Sequence, residues 1–307
     1  MSDSPTKPVL RRQLLAEGWT DDELRRRRES GDLMTLQRGA YLEAGKGPPT
    51  PAHRHALRAM SGAALHAADG VLSHVTAAVL HGLPTWGLPL ERVHRTRDRR
   101  SGGRVGEGTH LHVSPLEPDE VVTVDGLLVT SVARTVADVA RTCAFVPALA
   151  VADCALRVHL IDGDELAIAV AHATGWPGAP AARRVLAFAD PGSGSVGETR
   201  SRIAIHRAGL PRPELQWEVR SGSRVLGEAD FGWPDLATVG EFDGKAKYGE
   251  LRRPDQDPVD VLFAEKLRED AFRDLGLRVV RWTWWELETF DEVAARLRRA
   301  FAASTGR

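Results

Sequence analysis

Apolar and polar positions along the chain alternate between a helical and a strand-like period. In PVLRRQLLAEG, leucines at 10, 14 and 15 predict a helix that stops at Gly18, where glycine can adopt the left-handed conformation that ends a helix. Thr20 and Glu23 then have capping-box spacing, acids fill the first turn, and Arg25 to Arg28 lie toward the C-terminal end, where the helix dipole favours cations. LMTLQRGAYLE follows as two short β-type runs around Gln37, Arg38 and Gly39, the pattern of a compact hairpin. After the Pro/Gly-rich stretch GKGPPTPAH come helical runs, HRHALRAMSGAALHAA and SHVTAAVLHGL. RVHRT, THLHV and EVVTVDGLLVT then read as strands, the last with a Val-Asp-Gly turn. SVARTVADVAR and PALAVADCALRVHL are helical again.

From residue 195 a second order begins. SVGETRSRIAIHRAGLP is a helix, ELQWEVR alternates strictly as a strand, RVLGEADFGW returns as a second strand and ATVGEFDG is a third. DPVDVLFAEKLREDAFRDLG is a long helix with Leu267, Ala271 and Leu275 on one stripe, and LRVVRWTW is a last strand. The predicted order is αβββαβ. The chain is therefore expected to be an α+β multidomain protein, with segments 1–45, 52–190 and 195–305 and a mixed α/β middle domain.

Two helices, a tight turn and a hairpin outline a winged helix-turn-helix in 1–45. In that arrangement the helix over 20–30 enters a major groove, with Arg25, Arg26 and Arg28 on phosphates or guanine edges and Arg38 on the wing. The alternative is a solvated arginine face on a small helical cap. The 307 residues carry 41 Lys+Arg against 42 Asp+Glu, so affinity for nucleic acid must come from such local patches rather than the net charge of -1. Cys143 and Cys154 suit no zinc spacing, and neither a signal-peptide core nor a bilayer-spanning stretch is legible, so a reduced, soluble, cytoplasmic protein with no membrane partner is expected.

Two patterns in the middle of the chain carry less. His110-x-His112 shares a strand face and His74 and His81 stand two turns apart, but no carboxylate partner is fixed nearby in sequence, so packing or surface roles are expected for them ahead of metal binding. GSGSVG at 192–197 matches GxGxxG, yet the upstream RRVLAFADP reads as helix and no βαβ unit surrounds it; the glycines read as a linker running into a helix capped by Ser195.

The densest chemistry lies in EADFGWPDLATVGEFDGKAKY, residues 228–248. Alternation puts Glu241 and Asp243 on one face of their strand, about 7 Å apart. The short connection FGWPDLAT pairs the neighbouring strand antiparallel and brings Asp230 beside them, with Lys245 just beyond the strand end. Acids packed together raise one another's pKa, and a divalent cation resolves that cost. Mg²⁺ prefers hard oxygen ligands, which Asp230, Glu241 and Asp243 offer; Mn²⁺ suits the same set. Such an ion lowers the pKa of a water and stabilises charge on a phosphate. Only five lysines, 7, 46, 245, 247 and 266, stand among the 41 basic residues, and three of the five lie in or near this stretch. A lysine used against that bias suggests a need for a compact ammonium.

Asp230 followed by Glu241-Phe-Asp243-Gly-Lys245, on an αβββαβ order with Glu198 on the first helix, resembles the PD-(D/E)xK restriction-endonuclease-like fold, in the branch that includes very-short-patch-repair nucleases. The matching blocks are EFDGKAKY and EKLREDAFRDLGLRVVRWTW. The first 190 residues resemble AbiEi-type antitoxins of type IV toxin–antitoxin systems through the winged-helix segment, SHVTAAVLHGL and TSVARTVADVAR. The resemblance implies Mg²⁺-dependent phosphodiester hydrolysis with Asp230 and the strand acid as ligands. Two registers fit: with Glu241 as motif acid the lysine position holds Asp243, and with Asp243 as motif acid Lys245 completes a DxK. Glu198 is either the helix carboxylate of that fold or the partner of Ser195 in a capping box. Lys247, Tyr248, Lys266 and Arg268 either grip a nucleic-acid backbone or solvate the domain edge. The expectation is a DNA-binding metal-dependent endonuclease with a defence or toxin–antitoxin role and a cognate toxin as a candidate partner. The alternative is a transcriptional regulator or antitoxin whose nuclease fold is degenerate.

Overall fold

The computed structural model describes residues 7–45, 48–65, 70–244 and 258–304. Among them the architecture is mixed α+β, with three sheets and eleven α-helices. The chain divides into two compact units, Met1–Ala155 with His159–Ala189, and Leu156–Val158 with Asp190–Arg307. No helix among the described residues is long and apolar enough to cross a membrane.

The first unit opens with β1 (Val9–Leu10), α1 (Arg11–Ala16), α2 (Asp21–Glu29), β2 (Leu33–Gln37) and β3 (Ala40–Glu43). The helix expected from Pro8 starts only at Arg11, because Val9 and Leu10 pair antiparallel with Tyr41 and Ala40 and complete a three-stranded sheet in the order β1-β3-β2. Thr20 caps α2 through the Glu23 N–H, and Glu23 returns a bond to the Thr20 N–H. Leu14, Leu24, Leu33 and Tyr41 form the core beneath the two helices.

The unit continues through α3 (Pro51–Leu65), β4 (Val71–Leu72), α4 (His74–Leu80), β5 (Val93–Arg97), β6 (Arg104–Val105), β7 (Thr109–Val113), β8 (Val121–Val124) and β9 (Leu127–Thr130). The strands make one sheet in the order β6-β7-β5-β4-β9-β8. Asp125 and Gly126 both take positive φ, 48° and 79°, the turn that lets β8 and β9 pair tightly. Ala59 of α3 and Ala77 of α4 pack with Leu72, Val93 and Val129. Helices α5 (Val132–Thr142), α6 (Phe145–Arg157), α7 (Gly163–His172) and α8 (Ala179–Phe188) follow, and α5 packs against α4, α7 and α8.

The second unit runs α9 (Val196–Arg207), β10 (Glu214–Ser221), β11 (Arg224–Trp233), β12 (Thr238–Asp243), α10 (Pro258–Asp274), β13 (Arg278–Thr283) and α11 (Asp291–Ala302). The sheet order is β10-β11-β12-β13, antiparallel except for the parallel β12/β13 pair. One core joins Ile205 of α9 and Leu297 of α11 to Phe231, Trp233, Val280 and Trp282. The other joins Phe272 of α10 to Val219, Ala229 and Val239. The sheet is thus covered on both faces.

Two expectations are corrected here. The stripe Leu267, Ala271 and Leu275 is not the packing face of α10: both leucines are exposed, and Phe272 is the buried contact. Nor does β10 alternate strictly, since Leu215 packs with the Trp282 core while Trp217 and Val219 pack with the Phe272 core. Residues two apart normally share a face, but Gln216 has φ of 50° and the strand changes faces there. Across from it β11 does the same, with Ala229 in one core and Phe231 in the other, so both strands turn at Gln216 and Asp230.

Close packing of α9 on β12 depends on Gly197, where a Cβ would lie 1.8 Å from Cε1 of Phe242. Gly197→Ala is expected to destabilise the second unit by about 1–3 kcal/mol through overpacking. Urea denaturation followed by tryptophan fluorescence checks this, and an unchanged midpoint would show that the ring is not held there.

Candidate functional site

The turn at Asp230 creates a fork in the sheet. Strands β11 and β12 pair from Trp233 opposite Thr238 to Phe231 opposite Gly240, and the ladder ends there, with Asp230 and Glu241 the next residue on each strand. At that point Asp230 Oδ2 accepts the Phe242 N–H at 2.7 Å, so a carboxylate occupies a position normally filled by a strand carbonyl. Strand β12 continues alone alongside β13, with Glu241 opposite Arg281 and Asp243 opposite Thr283. Asp230 and Asp243 are half-buried and Glu241 is buried.

Arg268 of α10 reaches the same place. Its guanidinium donates to Glu241 Oε2 at 3.2 Å and to the Glu228 carbonyl at 2.6 Å. The stem crosses Gly227, where a Cβ would meet Arg268 Cδ at 2.8 Å. Arg268 therefore neutralises one acid of the cluster rather than standing out as a solvated edge residue, while Lys266 on the same helix is exposed. Lys245, Lys247 and Tyr248 lie outside the described residues.

Glu198 enters from the first turn of α9. Ser195 caps the helix by accepting the Glu198 N–H at 3.2 Å. The Glu198 carboxylate accepts from Ser195 Oγ at 2.8 Å, the Gly194 N–H at 2.7 Å and Gln216 Nε2 at 2.8 Å. The residue is tied both to the helix cap and to the strand turn beside Asp230. Burial, and then the negative charge of Asp230, push its carboxyl above the ordinary range, against the bonds from Gly194 and Ser195 that favour the charged form. The charge of Asp230 is thus felt by Glu198. The carboxylates of Asp230, Glu241 and Asp243 are hard oxygen donors of the kind Mg²⁺ and Mn²⁺ take, although they do not close to within 4.8 Å of one another, and Glu241 is paired with the Arg268 guanidinium.

The arginines singled out in the N-terminal segment lie on two neighbouring elements. Arg25, Arg26 and Arg28 are exposed on α2, and Arg38 is exposed at the tip of the β2–β3 hairpin. Arg25 pairs along its own helix with Asp22 at 3.0 Å, and Arg28 lies over the Tyr41 ring at 6.0 Å.

A third cluster was not legible as one in the sequence. His94 on β5 and His112 on β7 meet with Nδ1 and Nε2 3.0 Å apart, and His74 at the start of α4 stacks on His112 with ring centroids 3.7 Å apart. These three are the one described group of three ligand-type side chains whose donor atoms lie within 4.8 Å of one another. His81, two turns beyond His74, bonds the Thr130 carbonyl at 2.7 Å, a packing role as expected for it. Burial above all holds the rings neutral, His74 and His94 down to about 3 and His112 to about 2. Behind His74 lies Asp138, fully buried, which accepts from Arg134 at 3.0 Å and Arg141 at 2.6 Å. Burial opposes the charge of Asp138, but the two guanidiniums outweigh that and hold its pKa below the ordinary value. The one signal available in advance was two short strands each carrying histidine; what brings the rings together is the parallel pairing of β5 with β7, which spacing does not announce.

No family model matches the chain. Two uncharacterised proteins of Mycobacterium tuberculosis, from two strains, are each 31% identical to it over 205 residues, which cover 67% of this chain and 71% of the relative.

The raised pKa of Glu198 has a stability consequence. The protonated carboxyl is favoured by folding, so its contribution is fully present below the ordinary carboxylate value and is lost as pH rises through the raised one. Glu198→Gln is therefore expected to gain stability relative to the natural protein as pH rises from the ordinary carboxylate value of about 4 through the raised one. Denaturation curves across that range that run parallel for the two proteins would contradict the electrostatic picture.

Proposed function

The chain belongs to the family of these uncharacterised mycobacterial proteins, and we propose that it is a DNA-binding, divalent-cation-dependent endonuclease hydrolysing phosphodiester bonds. The observation that carries the reading is the strand fork, where Asp230 accepts the Phe242 N–H one residue past the end of the β11–β12 ladder, with Glu241 next on β12 and Glu198 close enough to feel its charge. This placement supports a restriction-endonuclease-like domain over 195–305. The β1-β3-β2 sheet with its two short helices supports a winged helix-turn-helix over 1–45, followed by an AbiEi-like middle domain.

Asp230, Glu241 and Asp243 would hold Mg²⁺ or Mn²⁺. When bound, such an ion makes a water more acidic and stabilises charge on the phosphate. The remaining roles fall to the chain. Asp230 is fixed in position by its bond from Phe242, whereas Glu241 and Asp243 would have to draw in toward it, and Arg268 move off Glu241, to close on a cation. Glu198, with its elevated pKa, is placed to hold or release a proton next to Asp230. Lys245, two positions beyond Asp243, would orient the attacking water or pair with the phosphoryl oxygens. Arg25, Arg26, Arg28 and Arg38 would contact DNA, and Lys247, Tyr248 and Lys266 its backbone. A role in defence or with a cognate toxin, in the cytoplasm, suits the pairing of a DNA-reading segment with a nuclease.

One observation favours the second reading, a transcriptional regulator or antitoxin with a retired nuclease fold. Arg268 pairs with Glu241 at 3.2 Å, and a permanent guanidinium there would take the place of the metal.

Asp230→Asn is expected to lower Mg²⁺-dependent plasmid cleavage by roughly a thousandfold, equivalent to about 4 kcal/mol of transition-state stabilisation, while leaving DNA binding intact. Equal cleavage by the variant would remove Asp230 from the site, and no cleavage by the natural protein with either ion would favour the regulator. Replacing Arg25, Arg26 and Arg28 with alanine should weaken DNA binding and reduce the slope of log affinity against log salt by up to about 3. A slope that does not change would leave α2 as a solvated face.

A further inference from the structure

The clustered histidines of the first unit, two buried and one half-buried, are not used by the nuclease reading, and they carry chemistry of a different kind. We infer that His74, His94 and His112 form a site for one divalent transition-metal ion of the Zn²⁺ class, separate in ligand type from the carboxylate fork.

Geometry carries this first. Tetrahedral zinc with Zn–N bonds of about 2.0–2.1 Å places its ligand nitrogens roughly 3.3 Å apart. His94 Nδ1 and His112 Nε2 already stand 3.0 Å apart, and His74, His94 and His112 each offer one ring nitrogen within 4.8 Å of the other two. Small rotations of the rings close the triad. The two facing nitrogens share one proton between neutral rings as they stand. On metal binding that proton moves to the far nitrogen of its own ring, and both lone pairs turn to the ion, so no charged imidazole has to be discharged.

The surroundings supply the support that metal-binding imidazoles usually have. His74 Nδ1 is bonded to Ser73 Oγ at 3.0 Å and faces Asp138 Oδ2 at 3.8 Å, which leaves Nε2 as its ligating nitrogen. Ser73 is itself fixed by a bond from Thr96 Oγ1 at 2.8 Å, and Asp138 by Arg134 and Arg141. His94 is anchored through its backbone N–H to Thr76 Oγ1 at 2.7 Å. The backbone of His74 is held at φ of 53°, a left-handed conformation that a non-glycine residue adopts at a cost and that aims this side chain at β5 and β7.

Ligand type then selects the ion. Three neutral imidazoles suit Zn²⁺, Co²⁺, Ni²⁺ or Cu²⁺ and offer Mg²⁺ and Ca²⁺ none of the oxygens they require. Three protein ligands leave a fourth position for water or an incoming group. Bound metal would tie the start of α4 to two strands of the six-stranded sheet.

The test uses untagged full-length protein, because an affinity tag of histidines would bind the same ions. Zn²⁺ is measured by competition with a chromophoric chelator, alongside His94→Asn, His112→Asn, the exposed control His172→Asn, and Asp230→Asn. One tight Zn²⁺ per chain is expected in the natural protein, His172→Asn and Asp230→Asn, undisturbed by millimolar Mg²⁺. His94→Asn and His112→Asn are expected to bind at least about 100-fold more weakly, exceeding the 10–100-fold cost of losing an outer partner. Circular dichroism reports whether they remain folded. If both unfold, the Co²⁺ spectrum of the natural protein decides: intense visible bands of a four-coordinate ion uphold the site, and the weak spectrum of a six-coordinate ion overturns it. Absence of tight Zn²⁺ binding, or equal affinity in folded His94→Asn and His112→Asn, also overturns it. Loss of Zn²⁺ in Asp230→Asn alone would assign the bound ion to the fork instead.

Discussion

Gathering carboxylates at one end of a sheet is the constraint on which the second unit depends. Like charges brought together in a partly buried place raise one another's pKa or demand a counter-charge. The fold meets that demand piecemeal. The Phe242 N–H satisfies Asp230, Arg268 neutralises Glu241, and Gly194, Ser195 and Gln216 share Glu198. Even so the Glu198 carboxyl remains raised. A purely structural sheet end would be more stable with fewer acids, since an apolar or neutral residue there needs no such partners.

The first unit handles buried charge in the opposite way. Arg134 bonds Asp138, Glu120, Ser114 and the Pro115 carbonyl, and Trp176 lies against its guanidinium at 4.7 Å. Arg141 takes the second oxygen of Asp138. Every charge there has a partner of opposite sign, so the cluster reads as a clamp between α5 and the loop before β8. The histidines next to it are neutral, and their nitrogens are the polar groups of that neighbourhood with coordination chemistry still open to them.

Local structure was legible in the sequence where the causes are local. The cap of α2 follows from Thr20 and Glu23, and the β2–β3 and β8–β9 hairpins from Gly39 and Asp125-Gly126, because these signals act within a few residues. Long-range placement was less so. The two leucines of α10 looked like a packing stripe by spacing alone, yet Arg268 and Phe272 face the sheet, with the Phe272 ring fully buried against Val219, Ala229 and Val239. The alternation of ELQWEVR hid the turn at Gln216, whose left-handed backbone has no side-chain signature. The acids could be placed on strands from their spacing, but the fork at Asp230, which gives them a common environment, depends on where β11 stops pairing with β12. His94 and His112 are 18 residues apart and meet only through parallel pairing, so no motif of fixed spacing could have joined them.

The central claim is that the fork binds a divalent cation through Asp230, Glu241 and Asp243. Anomalous diffraction from crystals soaked in Mn²⁺ tests it most directly. The account predicts a manganese peak within about 2.0–2.3 Å of oxygens from at least two of these carboxylates, with the Arg268 guanidinium displaced from Glu241. A crystal with Arg268 still on Glu241 and no manganese at the fork would contradict it.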